Sequence, residues 1–133
     1  MDWYLDHVAL PAHSVRESAT FFAEALGMKE SGGPLLSEEY QGERDVAAYE
    51  DSFGRQMHLS RPEQSFAFSK GSYIDPVVRG HVAIAVSDLD EAKANLTRLG
   101  VYFTDETPWG RVGYRQMYVL DPTMNCIEIT QRL

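Results

Sequence analysis

Three histidines and one glutamate carry the chemistry that this chain could do. His7, His58, His81 and Glu128 each fall on a short alternating stretch that reads as a β-strand. In Leu5–Leu10, His7 and Ala9 oppose Val8 and Leu10. In Gln56–Ser60, Gln56, His58 and Ser60 oppose Met57 and Leu59. In Gly80–Val86, His81, Ala83 and Ala85 oppose Val82, Ile84 and Val86. In the last strand Cys126, Glu128 and Thr130 oppose Ile127 and Ile129. Side chains alternate faces along a strand, so each strand puts bulky groups on one face and an imidazole or carboxylate on the other. The small neighbours on that second face leave room for a cavity. Three imidazoles and a carboxylate suit a divalent first-row ion: Fe, Mn, Ni, Co or Zn.

Spacing alone is a weak signal. His58 and His81 lie 23 residues apart and His81 and Glu128 lie 47 apart, so there is no short ligand pair. A lone strand histidine is more often a hydrogen-bonded structural group. The stronger signal is an internal repeat. His7-Val8-Ala9-Leu10 matches His81-Val82-Ala83-Ile84 at an offset of 74, and His58 matches Glu128 at an offset of 70.

The elements that position these residues follow from the pattern. Ser14 and Glu17 form a capping box, and Val15, Ala19, Phe22, Ala23 and Leu26 recur at helical spacing up to Gly27. Ser87-Asp88 caps a second helix with Leu89, Ala92, Leu96 and Leu99 as its stripe and Gly100 as its stop. Weak strands are expected within 28–38 and near 101–104, a strand at 46–50, and turns at Asp51–Gly54 and Asp121–Asn125. The expected fold is α+β: two βαβββ repeats forming a curled eight-stranded mixed sheet around a central cleft. It occupies 1–133 as a single domain, with repeat 1 at about 4–60, a linker at 61–79 and repeat 2 at about 80–131.

Composition narrows the functions. The net charge is −8 and no Lys/Arg cluster stands out, which argues against nucleic-acid or anionic-membrane partners. No apolar run approaches a membrane span. The single cysteine, Cys126, rules out an internal disulfide and suits a reducing, cytoplasmic compartment. Cys126 reads as a small inert group and His13 as a surface residue. Tyr118 is either core or a hydroxyl for catalysis. Trp109, Arg111 and Tyr114, beside Gly110 and Gly113, read as a substrate-binding lid.

The paired halves, His7 and His81 opening them, and the Asp121-Pro122…Glu128 ending resemble the vicinal oxygen chelate superfamily over about residues 4–131. That group includes glyoxalase I, extradiol dioxygenases, methylmalonyl-CoA epimerase, fosfomycin-resistance enzymes and bleomycin-binding proteins. The resemblance implies a metal held by His7, His58, His81 and Glu128, with His58, Glu128 and Tyr118 as catalytic residues. It implies a small substrate that chelates the metal through vicinal oxygens. A homodimer is expected because small chains of this architecture expose sheet edges. A glyoxalase-like lyase or isomerase is the leading expectation. An extradiol-type Fe(II) dioxygenase is the alternative, although 109–117 lack the histidine that its hairpin pattern expects. A bleomycin-type binding protein is the third reading, and the potential metal ligands argue against it.

Overall fold

The computed structural model describes residues 1–31, 46–63, 65–106 and 111–133. Six strands and three helices follow one another: β1 (Trp3–Pro11), α1 (Val15–Leu26), β2 (Val46–Glu50), β3 (Gln56–Ser60), α2 (Phe66–Ser69), β4 (His81–Val86), α3 (Leu89–Arg98), β5 (Tyr114–Leu120) and β6 (Cys126–Arg132). The strands form one open mixed sheet in the order β2-β3-β1-β4-β6-β5. Its centre is the antiparallel β1–β4 pair. On each side of that seam comes a parallel neighbour (β3, β6) and then an antiparallel one (β2, β5).

Eight strands were expected, and six form among the described residues. In the other two expected segments the described residues make single antiparallel bridges, Glu30↔Tyr49 and Phe103↔Val119. Most of the first expected strand, 32–38, lies outside the described residues.

The two long helices, α1 and α3, start at the caps that their sequences announce. Ser14 Oγ accepts from the Glu17 amide, and Asp88 accepts from the Glu91 amide. Gly27 closes α1 in the left-handed region with φ 65°. α1 packs Val15, Ala19 and Phe22 over Ala47, Tyr49 and Leu59. α3 packs Leu89, Ala92 and Leu96 over Met117 and Ile129. The stripes are shorter than expected, since Ala23, Leu26 and Leu99 are exposed.

The faces are covered differently from the expectation. The bulky face of the central strands is not sealed: Leu5, Leu10 and Val82 are each about two-fifths exposed. The helices sit over the outer strands, and the seam between them stays open to solvent. The face with small residues is the buried one, with Ala83 at 0% and Ala9 at 6% exposure.

The segment 61–79 is more than a connector. It holds α2, and Ala67, Ile74, Pro76 and Val77 are buried. No regular apolar period announces this, because the segment is mostly irregular. It re-enters the sheet through Gly80 (φ 76°), where a Cβ would collide with the Ala9 carbonyl oxygen.

Candidate metal centre

Sheet register assembles the site. Two rows of side chains cross the buried face. In one, Gln56, His7, Ala83, Glu128 and Tyr118 lie opposite one another on five successive strands, β3, β1, β4, β6 and β5. In the other, His58, Ala9 and His81 do so. Strands lie about 4.8 Å apart, so His7 and Glu128 start roughly 10 Å apart and lean toward each other over Ala83. A larger residue there would fill the gap.

The leaning side chains meet. His7 Nε2 lies 3.2 Å from His81 Nε2 and 3.7 Å from Glu128 Oε2, and His81 Nε2 lies 3.2 Å from the same oxygen. Each of the three groups offers one ligand atom, and these atoms lie within 4.8 Å of one another. The site forms within one chain and spans the seam.

The outer nitrogens fix the rings. His7 Nδ1 bonds Asp6 Oδ2 at 2.7 Å, and His81 Nδ1 donates to the Pro76 carbonyl at 2.7 Å. Both partners are acceptors, so both Nδ1 atoms carry the hydrogen and both Nε2 atoms turn a lone pair inward. Two imidazole lone pairs and a carboxylate oxygen converging on one point call for a cation. Orientation of ligating histidines by outer acceptors is the usual companion of a metal site. The donor set therefore fits a divalent ion.

His58 stands apart from the trio. Its ring stacks on His7 at 4.1 Å between centroids, and its Nε2 bonds Gln56 Oε1 at 2.8 Å. Gln56 in turn donates to Glu50. Nε2–H is spent on Gln56, leaving Nδ1 as the acceptor of the ring. Burial, then the charges of His7, Arg111 and His81, push its pKa down to about 2. His58 is a neutral imidazole throughout the ordinary pH range.

The Tyr118 side chain is buried, with its hydroxyl between Gln116 and Glu128. Its OH donates to Glu128 Oε2 at 3.1 Å and accepts from Gln116 Nε2 at 2.8 Å. Burial raises the Glu128 pKa, but when the neighbouring rings are protonated the hydrogen bond from His81 and the charges of His7 and His81, together with the Tyr118 bond, outweigh it and leave the carboxyl below its ordinary value. Burial first, then Glu128 and Asp75, push the Cys126 thiol up to about 12, so little thiolate forms near neutral pH.

Of the expected lid residues, Arg111 and Tyr114 are among the described ones. Trp109 lies outside the described residues. Arg111 is engaged inside the protein, with Nη1 donating to Asp6 Oδ2 at 2.7 Å and its guanidinium 4.0 Å over the Tyr114 ring. Its backbone amide donates to Gln116 Oε1. Asp6, Gln56 and Gln116 were missed by sequence reading. Asp6 should face away from His7 by alternation. A bulge between Leu5 and His7 turns it inward instead.

Two cavities approach the centre. One of about 370 Å³ is lined by Leu5, Asp6, His7, Gln56 and Met57, among others. One of about 880 Å³ is lined by Ala9, Tyr73, Gly80, His81, Met124 and Cys126, among others.

Residues 4–129 match the family model described as the Glyoxalase/Bleomycin resistance protein/Dioxygenase superfamily. The chain belongs to that superfamily. No curated protein matches the chain significantly. Among solved structures, superfamily-like folds include a hypothetical protein from Bacillus halodurans C-125, 19% identical, with TM-score 0.71 over 100% of this chain and 96% of that one. Streptomyces coelicolor methylmalonyl-CoA epimerase in complex with 2-nitronate-propionyl-CoA is 20% identical, with TM-score 0.67 over 96% of each chain. Another methylmalonyl-CoA epimerase is 21% identical, with TM-score 0.67 over 100% of this chain and 99% of that one. At these identities the likeness establishes the fold of the superfamily member. No helix among the described residues is long and apolar enough to cross a membrane.

Proposed function

We propose that this superfamily member is a divalent-metal-dependent enzyme that moves a proton on a small substrate bearing two neighbouring oxygens. The observation that carries the reading is the convergence of His7 Nε2, His81 Nε2 and Glu128 Oε2, with both histidines already oriented by outer acceptors. Three protein ligands leave positions open for two substrate oxygens. A bound ion would supply Lewis-acid stabilisation of negative charge on those oxygens. Tyr118 holds Glu128 through its hydroxyl hydrogen. His58, stacked on His7 and too weakly basic to hold a proton near neutral pH, keeps Nδ1 as an acceptor that completes the ligand set or receives a hydrogen bond from the substrate. The cavities fall in the size range of small-molecule sites. The Streptomyces coelicolor epimerase is in complex with 2-nitronate-propionyl-CoA, and acyl-CoA esters are the first substrate class to try. We read the two sides of the seam as βαβββ repeats curled around a cleft, and the assembly as a cytoplasmic homodimer.

One feature favours a second reading. Two histidines and one carboxylate, with His58 outside the trio, is the ligand set of oxygen-activating iron. That is the extradiol-type alternative.

The test is metal analysis of the purified protein and of His81→Ala and Glu128→Ala. Both variants are expected to lose most bound divalent ion while keeping the parent's circular dichroism. Metal content equal to the parent's in both would end this reading and favour a metal-free binding protein. Oxygen uptake with a catechol after Fe(II) loading would select the dioxygenase reading, and solvent deuterium exchange into an acyl-CoA ester would select proton transfer.

A further inference from the structure

The carboxylate of Asp6 touches a ligand histidine from outside the trio. It is buried at 8% exposure. A single oxygen, Oδ2, receives both His7 Nδ1 and Arg111 Nη1, each at 2.7 Å. It reaches His7 because the β1–β4 register shifts between Leu5 and His7. A bulge sacrifices regular ladder pairing, and here what it delivers is a carboxylate to the outer nitrogen of a ligand histidine. Arg111 reaches the other side as well, since its backbone amide bonds Gln116, which bonds Tyr118, which bonds Glu128.

On the reading that the trio holds a metal, we infer that Asp6 is a positioning residue that sets the strength of His7 as a ligand. Arg111 is the counter-charge that limits it. Hydrogen bonding to a full carboxylate increases electron density on the imidazole and strengthens Nε2 as a donor. Arg111 shares the same oxygen and draws charge from it, and it also adds a positive charge near the cation. The two residues therefore act in opposite directions. A merely structural ion pair would act in one direction, with loss of either partner loosening the site.

The experiment compares the parent with Asp6→Asn and Arg111→Gln, using Co(II) affinity by competition with a chelator. Asp6→Asn is expected to weaken Co(II) binding by about 10–100-fold. Arg111→Gln is expected to tighten it by about threefold or more, as follows from removing one positive charge from a partly screened site. Proton NMR of the metal-free proteins supplies a second readout. The low-field Nδ1–H signal of His7 should be present in the parent and shifted or lost in Asp6→Asn. Parental affinity and an unchanged signal in Asp6→Asn would overturn the role of Asp6. Weaker or unchanged binding in Arg111→Gln would overturn the opposition. If Asp6→Asn fails to fold, the Arg111→Gln arm still decides. If the parent itself binds no Co(II), the proposed function fails, and the NMR signal still tests the Asp6–His7 bond.

Discussion

The two sides of the β1–β4 seam place their polar residues in the same rows and use them differently. On the side of β4 and β6, both residues join the trio: His81 held by Pro76, Glu128 held by Tyr118. On the side of β1 and β3, only His7 joins, and His58 lies stacked beneath it, held by Gln56. Equivalent backbone positions therefore do not make equivalent ligands. A glutamate on a flexible stem reaches over Ala83. A rigid imidazole with its Nε2–H already committed stays where its partner holds it.

The sharpest way to break this asymmetry is to compare His7→Ala with His58→Ala. His7→Ala should cost more metal affinity than the roughly 100-fold that marks the upper end for outer partners, and His58→Ala should fall within or below that range. Chelator competition measures both. Equal losses would make His58 a direct ligand and the two sides alike.

A second comparison concerns the alanines at the row centres. Ala83→Val and Ala9→Val each overpack a buried position and should cost about 1–3 kcal/mol in denaturant melts. Ala83→Val should in addition abolish metal binding, because His7 and Glu128 meet above that residue. Retained binding in Ala83→Val would show that the row geometry does not hold the trio.

The smallest expected effect lies at the surface. The side with α3 carries an ion network in which Glu106 accepts from Arg115 and Lys93. The hydrogen bonds from Arg115 and then from Lys93 outweigh desolvation and hold the Glu106 pKa at about 2, below its ordinary 4.5. A lowered folded value means that the contribution is complete above about pH 4.5 and is lost as the pH falls toward 2. Thermal melts across that window should be steeper in pH for the parent than for Glu106→Gln. Parallel profiles would remove the network from the acid response.

Much of this arrangement was legible in the residues. Alternation put His7, His58, His81 and Glu128 on one face, and the 70–74 offset paired them across two sides of one sheet. Caps at Ser14 and Asp88 fixed both helix starts. What could not be read was whatever depends on a break in period. Asp6 sits on a bulge, so alternation assigns it to the wrong face. Pro76 offers only a carbonyl, which no side-chain pattern reveals. Arg111 reads as a lid residue from sequence because its partner lies 105 residues earlier in the chain. The exposure of Leu5, Leu10 and Val82 was equally hidden, since periodicity reports which face is apolar and says nothing of what covers it.

The seam has a consequence for how the molecule comes apart. His7 lies on one side of it, and His81 and Glu128 lie on the other. An ion held by all three would act as a staple, closing loops that span most of the chain in the way a long-range disulfide would. The chain has only one cysteine and no such covalent link. Resistance to heat would then vary with free metal concentration, gaining about 2.7 kcal/mol at a hundred times the dissociation constant. The junction of the two sides would be the first place to open when the metal is withdrawn.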